Sequence, residues 1–109
     1  MANLRLRSRQ WVVDDKGDII IGEGRAEILK TIQSTGSINQ TAKIMRMSYK
    51  GVWSKIKVTE DYLKVKLVAT DKKRGSELTK EGLELLEKYN LLKERCLKAD
   101  DKIFREIFG

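Results

Sequence analysis

The stretch TGSINQTAKIMRMSYKGVWSKI, residues 35–56, contains two short segments with helical periodicity and three residues between them. Ser37 and Ser48 stand where such helices would begin, and a serine hydroxyl there can accept a hydrogen bond from an unpaired N–H of the first turn. The second segment contains Gly51, although a glycine inside a helix costs roughly 1 kcal/mol relative to alanine. The stretch therefore predicts two consecutive helices and leaves Gly51 to be explained.

The two predicted helices carry the small and apolar residues that a tight crossing needs. Ala42 is small enough for a close approach, and Met47 is the apolar residue of the turn. Val52 and Ile56 would hold the second helix against the first, which is the spacing of a helix-turn-helix. Such a turn usually has glycine where this chain has Arg46, and arginine can adopt the left-handed conformation at a modest cost.

The second helix has two unlike sides when its residues are placed about 100° apart around the axis. The apolar side, which we expect in the core, carries Tyr49, Val52, Trp53 and Ile56. The outward side is small, polar and basic, and carries Lys50, Gly51, Ser54, Lys57 and Val58, with Lys55 at its border. We interpret Gly51 as allowing the backbone to approach a surface such as the wall of a major groove. The alternative is a glycine that is simply tolerated on an exposed helix.

A β-hairpin is predicted before these helices, over residues 1–21. Residues 4–7 alternate between apolar and basic side chains, and 11–13 continue the pattern of a strand. Residues 14–18 contain three aspartates and a glycine, a turn signal, and the isoleucines at 19–21 follow it.

The remaining elements complete a known arrangement. A three-helix core is predicted over 24–59, with the helix-turn-helix at 37–58, a hairpin or wing at 64–78, and a long helix and tail at 79–109. In the wing, Val65, Leu67 and Ala69 would share one side of the first strand. Three helices followed by a hairpin indicate one winged helix-turn-helix domain, mainly α with small β-hairpins (α+β).

The long helix has an apolar seam whose members are four, three, four, three and four residues apart. These are Leu85, Tyr89, Leu92, Cys96, Ala99 and Ile103. The seam could pack on its own domain, but it continues for more turns than a small winged domain can cover. We therefore expect it to be the dimer interface of a homodimer. Cys96 is expected as a small buried hydrophobe and not as a redox switch.

Composition excludes several classes of function. The chain has no histidine and one cysteine, so the commonest general base, the commonest metal ligand and an internal disulfide are missing. No paired-carboxylate motif or Gly-rich phosphate loop is present, and we predict no enzyme, no metal and no cofactor. The apolar runs are too short for a membrane span and the start lacks a signal-peptide core, which predicts a cytoplasmic protein.

The positive charge is concentrated in the middle of the chain. The net charge is +7, and residues 46–74 carry nine Lys or Arg against three Asp or Glu. One interpretation is a solvated basic face with no binding role. A basic segment of this kind is also the electrostatic signature of a nucleic-acid-binding protein.

The sequence GEGRAEILKTIQSTGSINQTAKIMRMSYKGVW, residues 22–53, closely resembles the N-terminal DNA-binding domain of the ModE family of molybdate-responsive regulators, itself similar to the LysR-type winged helix. The most specific part is MSYKGVW at 47–53, after TGSI at 35–38. KLV at 66–68 and LTKEG at 78–82 match the wing strand and the start of the long helix, and the resemblance covers residues 4–95. It implies a dimer that places the second helix of the motif in the major groove.

The resemblance implies groove-facing roles for Ser48, Lys50, Gly51, Ser54 and Lys55, while Lys57 joins them as a basic residue of the same helix. The wing is shorter than is usual in the family, so Lys72, Lys73 and Arg74 are expected to contact phosphates and not bases. Ser37, Asn39, Gln40 and Thr41 start the preceding helix, where a phosphate site and plain solvent exposure are equal alternatives. Arg5, Arg7 and Arg9 are expected on a solvated face.

Two functions remain open at this point. The first is a transcription regulator that binds double-stranded DNA at a pseudo-palindromic site. The second is a winged-helix protein-interaction module that uses its basic face on an acidic partner. The family's molybdate-binding module would follow the long helix, beyond Gly109, so the resemblance does not extend to molybdate binding, and whether any effector is sensed stays open. Control would then come from a separate effector-sensing chain, from expression level or from a small ligand at the dimer seam.

Overall fold

A computed structural model describes residues 3–109, and the statements below concern those residues. The elements are β1 (Val12–Val13), β2 (Ile19–Ile21), α1 (Glu23–Thr35), α2 (Ile38–Met45), α3 (Tyr49–Leu63), β3 (Val68–Asp71), β4 (Gly75–Leu78) and α4 (Lys80–Phe108). β1 and β2 form one antiparallel hairpin, and β3 and β4 form a second one, the wing. Four helices with two small hairpins confirm the predicted α+β class and the order of a winged helix-turn-helix.

Polar caps fix where three of the helices begin. The hydroxyls of Ser37, Ser48 and Thr79 accept hydrogen bonds from the N–H groups of Gln40, Gly51 and Gly82, over 3.1, 2.9 and 3.0 Å. Each bond pairs an N–H that has no partner within its own helix. α2 ends at Arg46 with φ of 56°, so the arginine does adopt the left-handed conformation that the turn needs.

The hydrophobic core lies between α1, α2, α3, the wing and the first turns of α4. Ile32 of α1 and Val52 of α3 are fully buried at its centre. Ile38 and Ala42 bring α2 onto it, and Leu86 does the same for α4. Burial of each large aliphatic side chain stabilises the fold by about 1.5–3 kcal/mol, so this cluster holds the three-helix unit together.

The N-terminal hairpin is shorter than the sequence predicted. Residues 3–11 form no strand, and the pairing is confined to β1 and β2. The segment lies instead along α4, where Tyr89 Oη donates to the Gln10 carbonyl over 2.9 Å and Ser8 hydrogen-bonds to Asp100. An alternating pattern gives a strand only when a partner strand is available, and here the helix takes that place.

The boundary between α3 and the wing also differs from the prediction. α3 continues to Leu63, and its C-cap, Lys64, has φ of 57°. β3 starts only at Val68, so Val65 and the residues beside it form a connection, and Val65 is exposed. In this connection a carboxylate oxygen of Glu60 accepts the N–H of Leu67, seven residues further on, over 2.8 Å.

α4 is the longest element, with 29 residues. At a rise of 1.5 Å per residue it measures about 43 Å, and the molecule as a whole is 57 Å long. Leu86 and Tyr89 are buried, but no residue after Tyr89 is. Within residues 3–109, no helix is both long and apolar enough to cross a membrane.

Candidate nucleic-acid interface

The outward side of α3 is the centre of the candidate interface. Lys50, Ser54 and Lys55 are exposed, while Val52 and Ile56 on the opposite side are buried. The predicted division of the helix into a core side and a polar, basic side is therefore confirmed for these residues. Ser48 is also exposed at the start of the helix, where its hydroxyl is engaged as the cap.

The two aromatic residues of α3 do not behave alike. Trp53 is partly buried against the core, as predicted. Tyr49 was expected in the core as well, and that prediction is wrong, because its side chain is 47% exposed. Helical periodicity assumes that a neighbouring element covers the whole apolar side, and at the first residue of α3 none does.

Gly51 is half-buried in the first turn of α3. A Cβ at this position would lie 3.0 Å from the hydroxyl oxygen of Ser48. A side chain there would therefore press on the cap that starts the helix. This crowding is a local reason for the glycine, in addition to the close approach that the sequence suggested.

The start of α2 offers fewer groups than predicted. Asn39 and Gln40 are exposed, but Thr41 is fully buried, and its hydroxyl donates to the Ser37 carbonyl over 2.8 Å. Thr41 as a DNA-binding residue is thus corrected to a core residue, because its hydroxyl is satisfied within the fold. Ser37 is half-buried, and its own hydroxyl serves as the cap of α2.

The wing tip presents three consecutive cations. Lys72, Lys73 and Arg74 are all exposed. The Asp71 carboxylate accepts the N–H groups of Lys73 and Arg74, over 2.7 and 3.3 Å, and so shapes the turn. The three cations are thus exposed on a turn whose backbone is held in place, which suits contact with phosphates.

Lys57 is exposed but not free, since its Nζ lies 3.5 Å from Asp61 Oδ1. An exposed pair of this kind stabilises the helix by no more than about 0.5 kcal/mol. Lys57 can exchange that partner for a phosphate at little cost. Sequence reasoning missed Glu60, which is buried at the same end of α3. No local signal marked it, because Asp61 beside it is acidic too and is exposed.

The predicted dimer seam on α4 divides into two parts. Tyr89 is 3% exposed and lies in the core of its own protomer, and Leu85 packs against that core. For Tyr89 the interface prediction is corrected, because α1 and the N-terminal segment already cover it. Leu92, Ala99 and Ile103 are exposed, and Cys96 is half-buried. The seam continues with the exposed residues Ile107 and Phe108.

Among residues 3–109, no group of three or more His, Cys, Asp or Glu side chains is placed to hold a metal ion. What the described residues provide is an exposed cationic side of α3 and an exposed cationic hairpin tip, which are 15 residues or more apart along the chain.

Sequence comparisons find two similar proteins, both named ModE. The chain is similar to the transcriptional regulator ModE of Yersinia pestis, with 36% identity over 83 residues, or 72% of this chain and 32% of the relative. It is also similar to the molybdenum transport protein ModE of Azotobacter vinelandii, with 27% identity over 107 residues, or 94% of this chain and 39% of that protein. The chain thus spans about a third of the length of these relatives.

Structural comparisons agree on the fold. The DNA-binding domain of CbnR in its DNA complex superposes with a TM-score of 0.61 at 22% identity, over 75% of this chain and 93% of that one. Vibrio fischeri DarR bound to DNA superposes with a TM-score of 0.59 at 19% identity, over 76% of this chain and 28% of the other.

The sequence profile of the bacterial regulatory helix-turn-helix proteins of the LysR family matches residues 25–83, which run from α1 through the wing to the start of α4. This family and fold are those of regulators and not of enzymes. The chain belongs to the LysR family of bacterial regulatory helix-turn-helix proteins.

Proposed function

We propose that the protein is a transcription regulator that binds double-stranded DNA in the cytoplasm. The observation that carries the proposal is the outward side of α3, where Lys50, Ser54 and Lys55 are exposed opposite a buried aliphatic side. α3 would enter the major groove, which is wide enough for a helix. Lys50 would bond acceptors on a base edge, and the half-buried Gly51 would let the backbone approach.

The wing would supply contacts of another kind. Lys72, Lys73 and Arg74 would neutralise phosphates next to the groove that α3 occupies. Each such contact releases counterions, so the affinity should fall steeply with salt. Family membership supports the proposal, as do the names of the ModE relatives and the DNA in the CbnR and DarR structures.

We further propose that the protein acts as a homodimer that recognises a pseudo-palindromic site. The support is the distal part of α4, where apolar side chains such as Leu92 and Ile103 are exposed along one long helix. A two-fold pairing of this helix would bury them and present two copies of α3 to one duplex.

The test compares two double variants on two kinds of DNA. The first carries Lys50→Ala with Ser54→Ala, and the probes are a duplex enriched from a random library and a random-sequence duplex. We expect this variant to lose preference for the enriched duplex, by about 1–3 kcal/mol, while its affinity for random DNA falls less. Equal losses on both duplexes would argue against base reading by α3.

The second variant carries Lys72→Ala with Lys73→Ala. It should weaken binding to both duplexes alike and flatten the salt dependence by roughly 0.9 for each lost phosphate contact. A matched control with Lys98→Ala and Lys102→Ala removes the same charge from the distal part of α4 and should leave the slope unchanged. Tight binding to an acidic protein together with no binding to any duplex would favour the protein-interaction module instead.

A further inference from the structure

Glu60 is a buried carboxylate on the proposed DNA-reading helix. It lies in the last turn of α3 and is 3% exposed. Its Oε2 accepts two backbone N–H groups of the segment that leads into the wing, from Leu67 over 2.8 Å and from Val68 over 3.4 Å. The same helix that carries Lys50 and Ser54 therefore holds the root of the wing directly.

The other carboxylate oxygen of Glu60 is buried too. Among the described residues it has no hydrogen-bond partner. Burying a carboxylate costs several kcal/mol unless its bonds compensate, and an apolar side chain of similar size would fill the same space at lower cost. A role in packing alone thus gives no reason for a carboxylate here, whereas the two N–H bonds to the wing root do.

The wing root is also held from the other side, by the start of α4. Thr79 donates its N–H to the Leu67 carbonyl over 2.9 Å and its hydroxyl to the Lys66 carbonyl over 2.6 Å. A Cβ on Gly82 would lie only 2.1 Å from the Leu67 oxygen, so α4 approaches the root as closely as its backbone allows. Residues 66–68 are therefore clamped between α3 and α4.

A small rotation at residues 66–68 would move the wing tip by a larger distance. β3 runs for four residues from Val68 to Asp71, or about 13 Å at roughly 3.3 Å per residue. A rotation of about 15° at the root would move the tip by about 3.5 Å, which is more than the length of a hydrogen bond. β4 is tied separately, since Ser76 donates its N–H to the Gly36 carbonyl over 2.8 Å.

We propose that Glu60 is a positioning residue for DNA binding, which fixes the wing relative to α3 so that the cations of the wing tip reach phosphates while α3 occupies the groove. This inference rests on the proposed function. Glu60 touches no DNA in this account and acts only through the backbone of Leu67 and Val68. It explains how a short wing can be placed accurately.

A pair of side chains of similar length tests the inference. Glu60→Gln keeps an oxygen that can accept the N–H groups of Leu67 and Val68, whereas Glu60→Met fills the space without an acceptor. The salt dependence of binding to a random-sequence duplex is measured for both. We expect the wild-type slope for Glu60→Gln, and a slope flattened by about 2 to 3 for Glu60→Met, as three phosphate contacts are lost.

Combination with the wing variant separates positioning from stability. In the Glu60→Met protein, adding Lys72→Ala with Lys73→Ala should change the slope little, because those contacts are already lost. In the Glu60→Gln protein the same addition should flatten the slope as it does in the wild type. A folded Glu60→Met protein with the wild-type slope, or with additive effects, would overturn the inference.

A milder variant covers the case in which Glu60→Met does not fold. Glu60→Asp keeps the charge but withdraws the oxygens by one methylene, and amide exchange at Leu67 reports whether the bond is lost. Faster exchange at Leu67 with a flattened slope supports the inference, and faster exchange with an unchanged slope contradicts it. Wild-type protein that binds no duplex at all would contradict the proposed function itself. The outcomes above contradict only the positioning role of Glu60.

Discussion

Residues 20–89 and residues 90–108 differ in whether they bury side chains within the chain. The first region contains every buried residue of the described chain, and α1, α2, α3 and the wing all contribute to one core. The second region is a continuous helix with no buried residue, although Leu91, Ile103 and Phe108 are among its exposed apolar side chains. The first is stabilised by burial within one chain, whereas the second needs another surface to bury its apolar side chains.

The two regions also differ in what holds them locally. In the first, caps and core contacts support each helix. In the second, the Lys98–Glu94 pair at 3.3 Å and the stacked rings of Phe104 and Phe108, 5.0 Å apart, are interactions within one helix. In proteins, most of the stability of a helix comes from packing of its apolar side against other elements. The part of the domain that is stabilised by its own core therefore ends near Tyr89, although α4 continues to Phe108.

The largest effect should come from a cavity in the first region. Ile32→Ala is expected to lower the free energy of unfolding by about 2–5 kcal/mol, because Ile32 is fully buried. The matched control Ile107→Ala, at a residue 71% exposed, should change it by less than about 0.5 kcal/mol at protein concentrations where the chain is monomeric. Urea unfolding measures both. Equal losses in the free energy of unfolding for the two variants would contradict the proposed difference between the regions.

The next effect concerns association of the second region. Ile103→Glu should weaken self-association at least about tenfold, because it places a charge in the proposed interface between two α4 helices. Lys102→Glu is the neighbouring control and should change association much less. Sedimentation equilibrium gives the dissociation constants. A wild-type protein that stays monomeric at high concentration would show that the exposed apolar residues of α4 serve another partner.

A smaller effect is expected at the start of α4, inside the first region. Thr79→Ala removes the cap of α4 and its bond to the Lys66 carbonyl, and should cost about 1 kcal/mol of stability. Thr79→Ser keeps the hydroxyl and should recover most of that loss. Thermal unfolding and amide exchange at Gly82 follow the change. If the alanine and serine variants are equally stable, the hydroxyl cap does not stabilise the start of α4.

The smallest effect involves a surface pair that ties the second region to α1. Lys93 Nζ lies 2.9 Å from Glu23 Oε1. The hydrogen bond and charge of Lys93 lower the pKa of Glu23, and the same bond raises the pKa of Lys93. The contribution of the carboxylate is present above its unfolded pKa of about 4.3 and is lost as the pH falls through the lower, folded pKa.

Glu23→Gln should therefore make the protein slightly less stable than wild type at neutral pH, and the difference should vanish as the pH falls through the folded pKa of Glu23. The contribution of Lys93 is fully present below its unfolded pKa of about 10.4 and is lost only as the pH rises through its folded pKa. Unfolding curves at several pH values measure the difference between wild type and variant. A variant with the same acid dependence as the wild type would show that the pair forms no stabilising link.

Local chemistry explains which features the sequence could predict. Ser37 and Ser48 were identified as caps because each acts on an N–H only three residues away. The left-handed Arg46 followed from the geometry of a tight turn, and the outward side of α3 followed from periodicity. All of these depend on residues within one or two turns of each other.

The failures share the opposite property. Tyr49 and Thr41 were misplaced because exposure depends on which neighbouring element covers a position. Tyr89 was assigned to the dimer seam because its own partner, the Gln10 carbonyl, is 79 residues away in sequence. Contacts between distant residues are invisible in a local pattern.

Amide NMR of the protein titrated with duplex DNA tests the central claim most directly, because it observes both regions in one experiment. The account predicts that resonances of residues 48–57 and 72–74 shift on addition of DNA, while those of 92–108 stay in place at constant oligomeric state. Shifts confined to 92–108, or none at any concentration of DNA, would contradict the claim that the basic side of α3 is the surface that reads DNA.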